Sequence, residues 1–206
     1  LRLLRSGDHF SIHFGAEELM GSCDHVSEEA LATLTCERLG NRDAHVLIGG
    51  LGMGFTLGAA LAAWSPGSSI VVAELVPKIV TWAKGPVAHL FGADLSDPRV
   101  TIKVADVHDV IAAAPDQFDA IMLDVDNGPD GLIQAENERL YCHWGLKSAY
   151  DALKAGGVLA VWSAYPVGDF SERLEAVGFV VEQVETPAFI GEGHDFHYIW
   201  FATKAV

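Results

Sequence analysis

Three carboxylates stand at the ends of apolar runs, and a glycine turn precedes them. Glu74 follows Ile70-Val71-Val72-Ala73, Asp106 follows Val100-Thr101-Ile102-Lys103-Val104-Ala105, and Asp124 follows Phe118-Asp119-Ala120-Ile121-Met122-Leu123. The turn is Val46-Leu47-Ile48-Gly49-Gly50-Leu51-Gly52-Met53-Gly54. Gly49, Gly50, Gly52 and Gly54 let a backbone turn tightly and approach a ligand, with a helix N-terminus behind it. The spacing is not the dinucleotide pattern G-x-G-x-x-G, and a structural tight turn gives the same letters. Its place after a first strand, with an acid ending the next, points to a nucleoside cradle. Glu74 has acceptors for two vicinal ribose hydroxyls. Asp106 can meet an adenine amino group, cap the helix that starts at Val107, or do both. Leu75 and Val107, which directly follow these two acids, are assigned to the same pocket.

Asp124 is the strongest catalytic candidate. It opens Asp124-Val125-Asp126-Asn127-Gly128-Pro129-Asp130. Clustered carboxylates repel one another and hold protons more tightly unless a cation joins them. An amine substrate would relieve that repulsion. Asp126 and Asn127 are assigned to the substrate side, although turn chemistry alone also accounts for Asp126, Asn127 and Asp130.

Positioning these groups requires successive strands whose carboxyl ends share one crevice. Residues 1–22 read as a small β-layer: Phe10, Ile12 and Phe14 alternate with polar neighbours, the period of a half-buried strand. Ser27 is the expected N-cap of the next helix, Glu28 and Glu29 suit its positive end, and Gly40-Asn41 stops it. From residue 44 onward, strands are expected near 45–49, 70–74, 99–104, 118–124 and 158–163. Helices are expected near 53–64, 76–91, 107–114, 137–154 and 168–177. Alternation of this kind indicates a parallel sheet covered on both faces. Two final strands, Phe179 to Val184 and His197 to Thr203, have no helix between them and read as an antiparallel hairpin. The reading is therefore α/β: a small N-terminal β-layer over 1–22 belonging to the same unit as a Rossmann-like, doubly wound nucleoside-binding catalytic domain over 23–206.

Length and composition set limits. The 206 residues suffice for one full-sized core, and half are hydrophobic. The first residue is Leu rather than Met, as in a fragment or a processed chain. No secretory signal pattern is visible. Residues 44–73 lack Asp, Glu, Lys and Arg, but glycines and Ser65-Pro66-Gly67-Ser68-Ser69 cut them far short of a spanning helix. The net charge of −15 disfavours nucleic acid and favours a small cation. Cys23, Cys36 and Cys142 are an odd number without a Cys-x-x-Cys pair, which fits a reducing, cytoplasmic compartment. His194-x-x-His197 with His9 and His13 has no familiar ligand spacing, so no metal is expected. Trp162, Tyr165, Phe189 and Phe196 flank late strand ends, mostly as core, with one or two free to wall a pocket.

In order, these segments resemble the spermidine synthase (aminopropyltransferase) family of class I S-adenosylmethionine-dependent transferases. Val46-Leu47-Ile48-Gly49-Gly50 with Gly52 and Gly54 is similar to the glycine-rich loop. Ala73-Glu74-Leu75-Val76-Pro77 resembles the ribose-binding E-I-D-P segment. Asp97-Pro98-Arg99-Val100 with Ala105-Asp106 resembles D-P-R-V…G-D, whose acid binds adenine. Phe118 to Asp124 resembles the strand that carries the catalytic Asp. Leu153-Lys154-Ala155-Gly156-Gly157 is similar to the L-K-P-G-G turn, and Thr186-Pro187-Ala188-Phe189-Ile190-Gly191 to the P-T-Y-P-S-G segment near the amine pocket. The amine side departs from the family pattern. Y-H-E becomes Ser27-Glu28-Glu29, keeping only the Glu, and D-S-S-D-P becomes Asp124-Val125-Asp126-Asn127-Gly128-Pro129.

The resemblance implies a class I methyltransferase-type sheet and a role in polyamine biosynthesis. It implies decarboxylated S-adenosylmethionine or S-adenosylmethionine as donor, without a metal. It implies a small cationic amine as partner, bound by Asp126, Asn127, Glu29 and Phe189, and it allows a homodimer. Neither nucleic acid nor membrane is an expected partner. The same site would serve a small-molecule methyltransferase, or a non-catalytic adenosine-nucleoside-binding protein that has lost its amine pocket.

Overall fold

The computed structural model describes residues 1–40, 42–130, 137–189 and 195–206. Three strands open the chain: β1 (Arg2–Ser6), β2 (His9–Phe14) and β3 (Glu17–Gly21), antiparallel in that order. The alternation in β2 turns Phe10 and Ile12 inward, where both are buried in the main core. Helix α1 (Val26–Arg38) follows. Its N-cap is His25, which makes no side-chain capping bond. Ser27, expected as the cap, lies one residue inside the helix, fully buried, with its hydroxyl engaged elsewhere. The helix ends before Gly40, whose φ of +74° turns the chain; Asn41 lies outside the described residues.

The remainder alternates: β4 (His45–Gly49), α2 (Phe55–Ala63), β5 (Ser69–Glu74), α3 (Pro77–Ala83), α4 (Ala88–Phe91), a 3-10 turn (Asp94–Ser96) and β6 (Val100–Val104). Next come α5 (Val107–Ala112), β7 (Phe118–Leu123), α6 (Glu138–Tyr141), α7 (His143–Ala152), β8 (Leu153–Ser163), α8 (Phe170–Val177), β9 (Phe179–Pro187) and β10 (Phe196–Lys204). The single helix expected over 76–91 is broken at Gly85-Pro86, because proline lacks the N–H a helix needs and disfavours helical geometry in the residue before it. The helix expected over 137–154 is broken at Cys142, whose ψ is 166°. Leu153-Lys154-Ala155-Gly156-Gly157 is not a separate turn but the start of β8, with a register shift against Phe118 and Ala120 of β7.

The seven strands lie in the order β6-β5-β4-β7-β8-β10-β9. The first five are mutually parallel, and β10 runs antiparallel to both β8 and β9. Chain order thus reverses between β4 and β7, which opens a crevice beyond their carboxyl ends. Strand alternation sends Val46, Ile48, Val72 and Met122 into one core, with α1 and α2. Leu47, Ile121, Leu123 and Leu159 enter the other, with α7 and α8. Both faces are therefore dry, as a doubly wound sheet requires. Among the described residues no helix is long and apolar enough to cross a membrane.

At the reversal, the end of β4 is laced to β7 on one side and to β5 on the other. Asp124 N–H donates to Gly49 O at 2.9 Å, and Gly50 N–H donates to Ala73 O at 2.9 Å. Gly50 has a φ of +92°, and a Cβ there would lie 2.1 Å from the Asp124 carbonyl oxygen. Gly50→Ala must therefore strain its own backbone and push β7 away. Thermal denaturation is expected to show a loss of at least about 2 kcal/mol. Gly168→Ala, where an added Cβ meets nothing within 4 Å, is expected to change stability by less than about 0.5 kcal/mol.

Candidate active site

A cavity of about 510 Å³ sits over the strand ends at the reversal. Its apolar wall includes Ile12, Phe14, Leu19 and Met20 from the N-terminal sheet, with Ile79 from α3. Its polar wall carries five carboxylates, Glu28, Glu74, Asp106, Asp124 and Asp126. No Lys or Arg is among the described lining residues.

The glycine turn divides its labour. Gly50 and Gly52 line the cavity, while Gly49 and Gly54 do not. Gly49 ends β4 tightly against Val107 and Leu123, and Gly54 adopts the left-handed cap of α2 against the Phe91 ring. Met20 closes over the loop: Met53 N–H reaches its Sδ at 3.1 Å, and a Cβ on Gly52 would lie 2.7 Å from its Cε. Glu74 ties the loop down from below. Its Oε2 accepts from Leu51 N–H at 2.9 Å, and its Oε1 accepts from Val76 N–H at 2.7 Å. Burial pushes its carboxyl up, while the amides of Leu51, Val76 and Gly52 hold it down. A carboxylate has about four acceptor sites, so three amides still leave room for a ligand hydroxyl. Leu75, 40% exposed, and the buried Val107 also line the cavity.

Asp106 caps α5, with Oδ1 accepting from His108 N–H at 2.8 Å. Its other oxygen, Oδ2, is hydrogen-bonded by Arg139 Nη2. The capping role and a place on the cavity wall coexist, and Arg139 is a partner the sequence did not single out.

Asp124 stands at the reversal itself. Thr56, in the first turn of α2, donates to its Oδ2 at 2.6 Å. Burial, then the neighbouring Glu28 charge, push its carboxyl up to about 7, against the Thr56 hydrogen bond. Glu28 is also raised, chiefly by burial. Asp126 lines the cavity with a φ of +51°, a left-handed conformation that Asp tolerates, and Asn137 Nδ2 donates to its Oδ2 at 2.8 Å. Burial, with the charges of Asp126 and Asp124 behind it, pushes the Tyr141 hydroxyl upward too.

Three residues expected on the substrate side do not line this cavity. Glu29 does not line the cavity: half exposed, it meets His25 Nδ1 at 2.8 Å, and Glu28 takes its place on the wall. The helical repeat carries the reason. Glu28 shares a face with the buried Leu31, Ala32 and Thr35, whereas Glu29 lies beside that face. Asn127 is a loop brace, its carbonyl accepting from Ala164 N–H and Ser163 Oγ, both at 3.2 Å. Phe189 is 45% exposed and off the cavity wall; the next residues, including Ile190, Gly191 and His194, lie outside the described residues. Of the late aromatics only Trp162 reaches the wall.

The raised carboxyl of Asp124 makes stability depend on pH. A carboxyl held at about 7 when folded and near 3.8 when unfolded stabilises the fold fully below about 4 and loses that contribution as pH rises through about 7. Asp124→Asn removes the charge, so its melting temperature is expected to exceed the wild type's at pH 8 by at least about 4 °C, with the gap closing at pH 4. A gap independent of pH, read by calorimetry, would refute the shared burial of charge.

Comparisons with known proteins agree with this fold. The chain is similar over 100% of its length to the spermidine synthase from Thermotoga maritima, with a TM-score of 0.77 and 18% identity, covering 73% of that chain. A spermidine synthase in complex with the transition state analogue AdoDATO matches over 99% of this chain and 70% of its own, with a TM-score of 0.80 and 20% identity. The Burkholderia thailandensis 1,6-didemethyltoxoflavin-N1-methyltransferase, bound to 1,6-didemethyltoxoflavin and S-adenosylhomocysteine, matches over 88% of this chain and 80% of its own, at 0.63 and 18%. The sheet is thus of the class I methyltransferase type. No curated protein matches significantly by sequence. The model of the spermine/spermidine synthase domain matches residues 25–183, from the start of α1 into β9, and the chain belongs to that family.

Proposed function

We propose that the protein moves an aminopropyl group from decarboxylated S-adenosylmethionine to a small cationic amine, a step of polyamine synthesis. The observation that carries this reading is Asp124: a largely buried carboxyl raised to about 7, at the strand reversal, in a wall of acids with no described basic residue. Decarboxylation removes the one anionic group of the donor, which such a wall would repel. Membership of the family and the analogue-bound neighbour support the same donor class. The odd number of cysteines supports a reducing, cytoplasmic setting. The packing of Phe10 and Ile12 into the main core supports the N-terminal sheet as part of one unit with the larger one.

The residues divide as follows. Glu74 is assigned to the ribose hydroxyls, Gly50 and Gly52 to close backbone approach, and Asp106 with Val107 to the adenine. The amine enters between Glu28, Asp124 and Asp126, with Trp162 as an apolar wall. A free alkyl amine carries its proton up to pH ~10, so the pocket must first take that proton. Asp124 accepts it as the carboxylate. The neutral nitrogen then attacks the carbon beside the sulfonium. A C–N bond forms, the C–S bond breaks, and the sulfur leaves with the electron pair as a neutral thioether. The remaining excess N–H proton passes to a carboxylate or water.

The test is turnover of either sulfonium donor with an amine panel, read by product mass. Spermidine-type products carry an added aminopropyl group; methylated amines would favour the methyltransferase reading instead, and no turnover with intact nucleoside binding would favour a binding protein. Asp124→Asn is expected to keep methylthioadenosine affinity and lose turnover by about 10²–10⁴-fold. Glu74→Ala is expected to weaken nucleoside binding at least about tenfold by calorimetry.

A further inference from the structure

The Ser27 hydroxyl is fully buried and meets three groups from three elements. Trp162 Nε1–H, from β8, donates to it at 3.0 Å. His197 Nδ1, from β10, lies 2.8 Å away. Ser27 in turn donates to Glu28 Oε2 at 2.6 Å. A hydroxyl has one proton and two acceptor lone pairs. With the proton given to Glu28, both lone pairs are filled by N–H groups, which fixes the Nδ1–H tautomer of His197. The Trp162 and His197 rings meet edge to face, with centroids 4.8 Å apart, so neither donor can swing away alone. Thr56 joins the far side: its Oγ1 donates to Asp124 and lies 3.4 Å from the Glu28 carbonyl oxygen.

We propose that Ser27 is a positioning residue for the amine pocket, holding Glu28 on the cavity wall beside Asp124 so that two carboxylates receive the cationic acceptor. The assignment rests on the transferase reading above. Several charged or titratable groups among the described residues act on this cluster. His25 and Glu29 act on Glu28 from α1, Glu28 acts on Asp124 at the end of β7, and Asp126 and Asp124 act on Tyr141. Asp195 acts on His197, whose burial nevertheless keeps it neutral more readily than a solvated histidine. The Ser27 hydrogen bond opposes the effect of burial on Glu28, so it favours the ionised form that an amine needs.

The test is a carbon-13 titration of the full chain labelled at Asp and Glu carboxyls, assigned with Glu28→Gln and Asp124→Asn. In Ser27→Ala the ionised Glu28 loses its donor, and its midpoint is expected to rise by about one pH unit. Ser27→Cys, a weaker donor, is expected to give a smaller rise in the same direction. An unmoved Glu28 midpoint in folded Ser27→Ala overturns the proposal; if that variant does not fold, an unmoved midpoint in Ser27→Cys does so. In turnover, Ser27→Ala is expected to raise the acceptor KM about tenfold while methylthioadenosine affinity holds. An unchanged acceptor KM also overturns it. A wild type inactive with every amine would dismiss the transferase reading, while the titration still decides whether Ser27 governs Glu28.

Discussion

A carboxylate taken out of water needs hydrogen bonds or a counter-charge, and this fold gathers several where no described basic side chain lines the wall. The rest of the site follows from how each is compensated. Glu74 receives backbone amides from the glycine loop and from its own turn, so the donors come with the fold itself. Asp106 receives the N-terminal amide of α5 and an arginine. Asp124 receives one hydroxyl, from Thr56, and Glu28 one from Ser27 together with its own backbone amide. Compensation thus declines from the nucleoside side toward the amine side: burial raises Glu74 and Glu28 as well, but only Asp124 is pushed as far as about 7. Such a gradient leaves a deficit of positive charge where a cationic acceptor would bind.

The sheet makes this gradient possible. Reversal of chain order between β4 and β7 opens a crevice beyond their carboxyl ends. Gly50 must be glycine there, because the Asp124 carbonyl occupies the space of its Cβ. Asp124 is therefore positioned by the same contact that lets the loop pass. The N-terminal sheet supplies the lid: Met20 rests on Gly52, and Ile12, Phe14 and Leu19 give the cavity its apolar half. One wall suits a flat, apolar base and the other a polycation.

Much of this was legible in the residues. Apolar runs with acids at their ends gave the strands, the crevice and the places of Glu74, Asp106 and Asp124, because strand period and strand-end position are local properties. What failed depended on which way a side chain faces or on partners distant in sequence. Ser27 looks like a cap by type, yet its neighbours across space are Trp162 and His197, more than a hundred residues away. Glu28 was separable from Glu29 by helical period, since only Glu28 aligns with Leu31 and Thr35. Thr56 and Arg139 carried no local signal at all. Asn127 has the letters of a substrate contact, and its backbone carbonyl braces the loop against Ala164 and Ser163.

The most direct measurement is calorimetry of amine binding to the protein saturated with methylthioadenosine, at about pH 6.5, in buffers of differing ionisation enthalpy. A cation entering between Glu28 and the partly protonated Asp124 must expel protons. Net proton release is expected in the wild type and less of it in Asp124→Asn. Amine binding without proton exchange, or with equal release in the variant, would contradict a buried acid pair waiting for a cation.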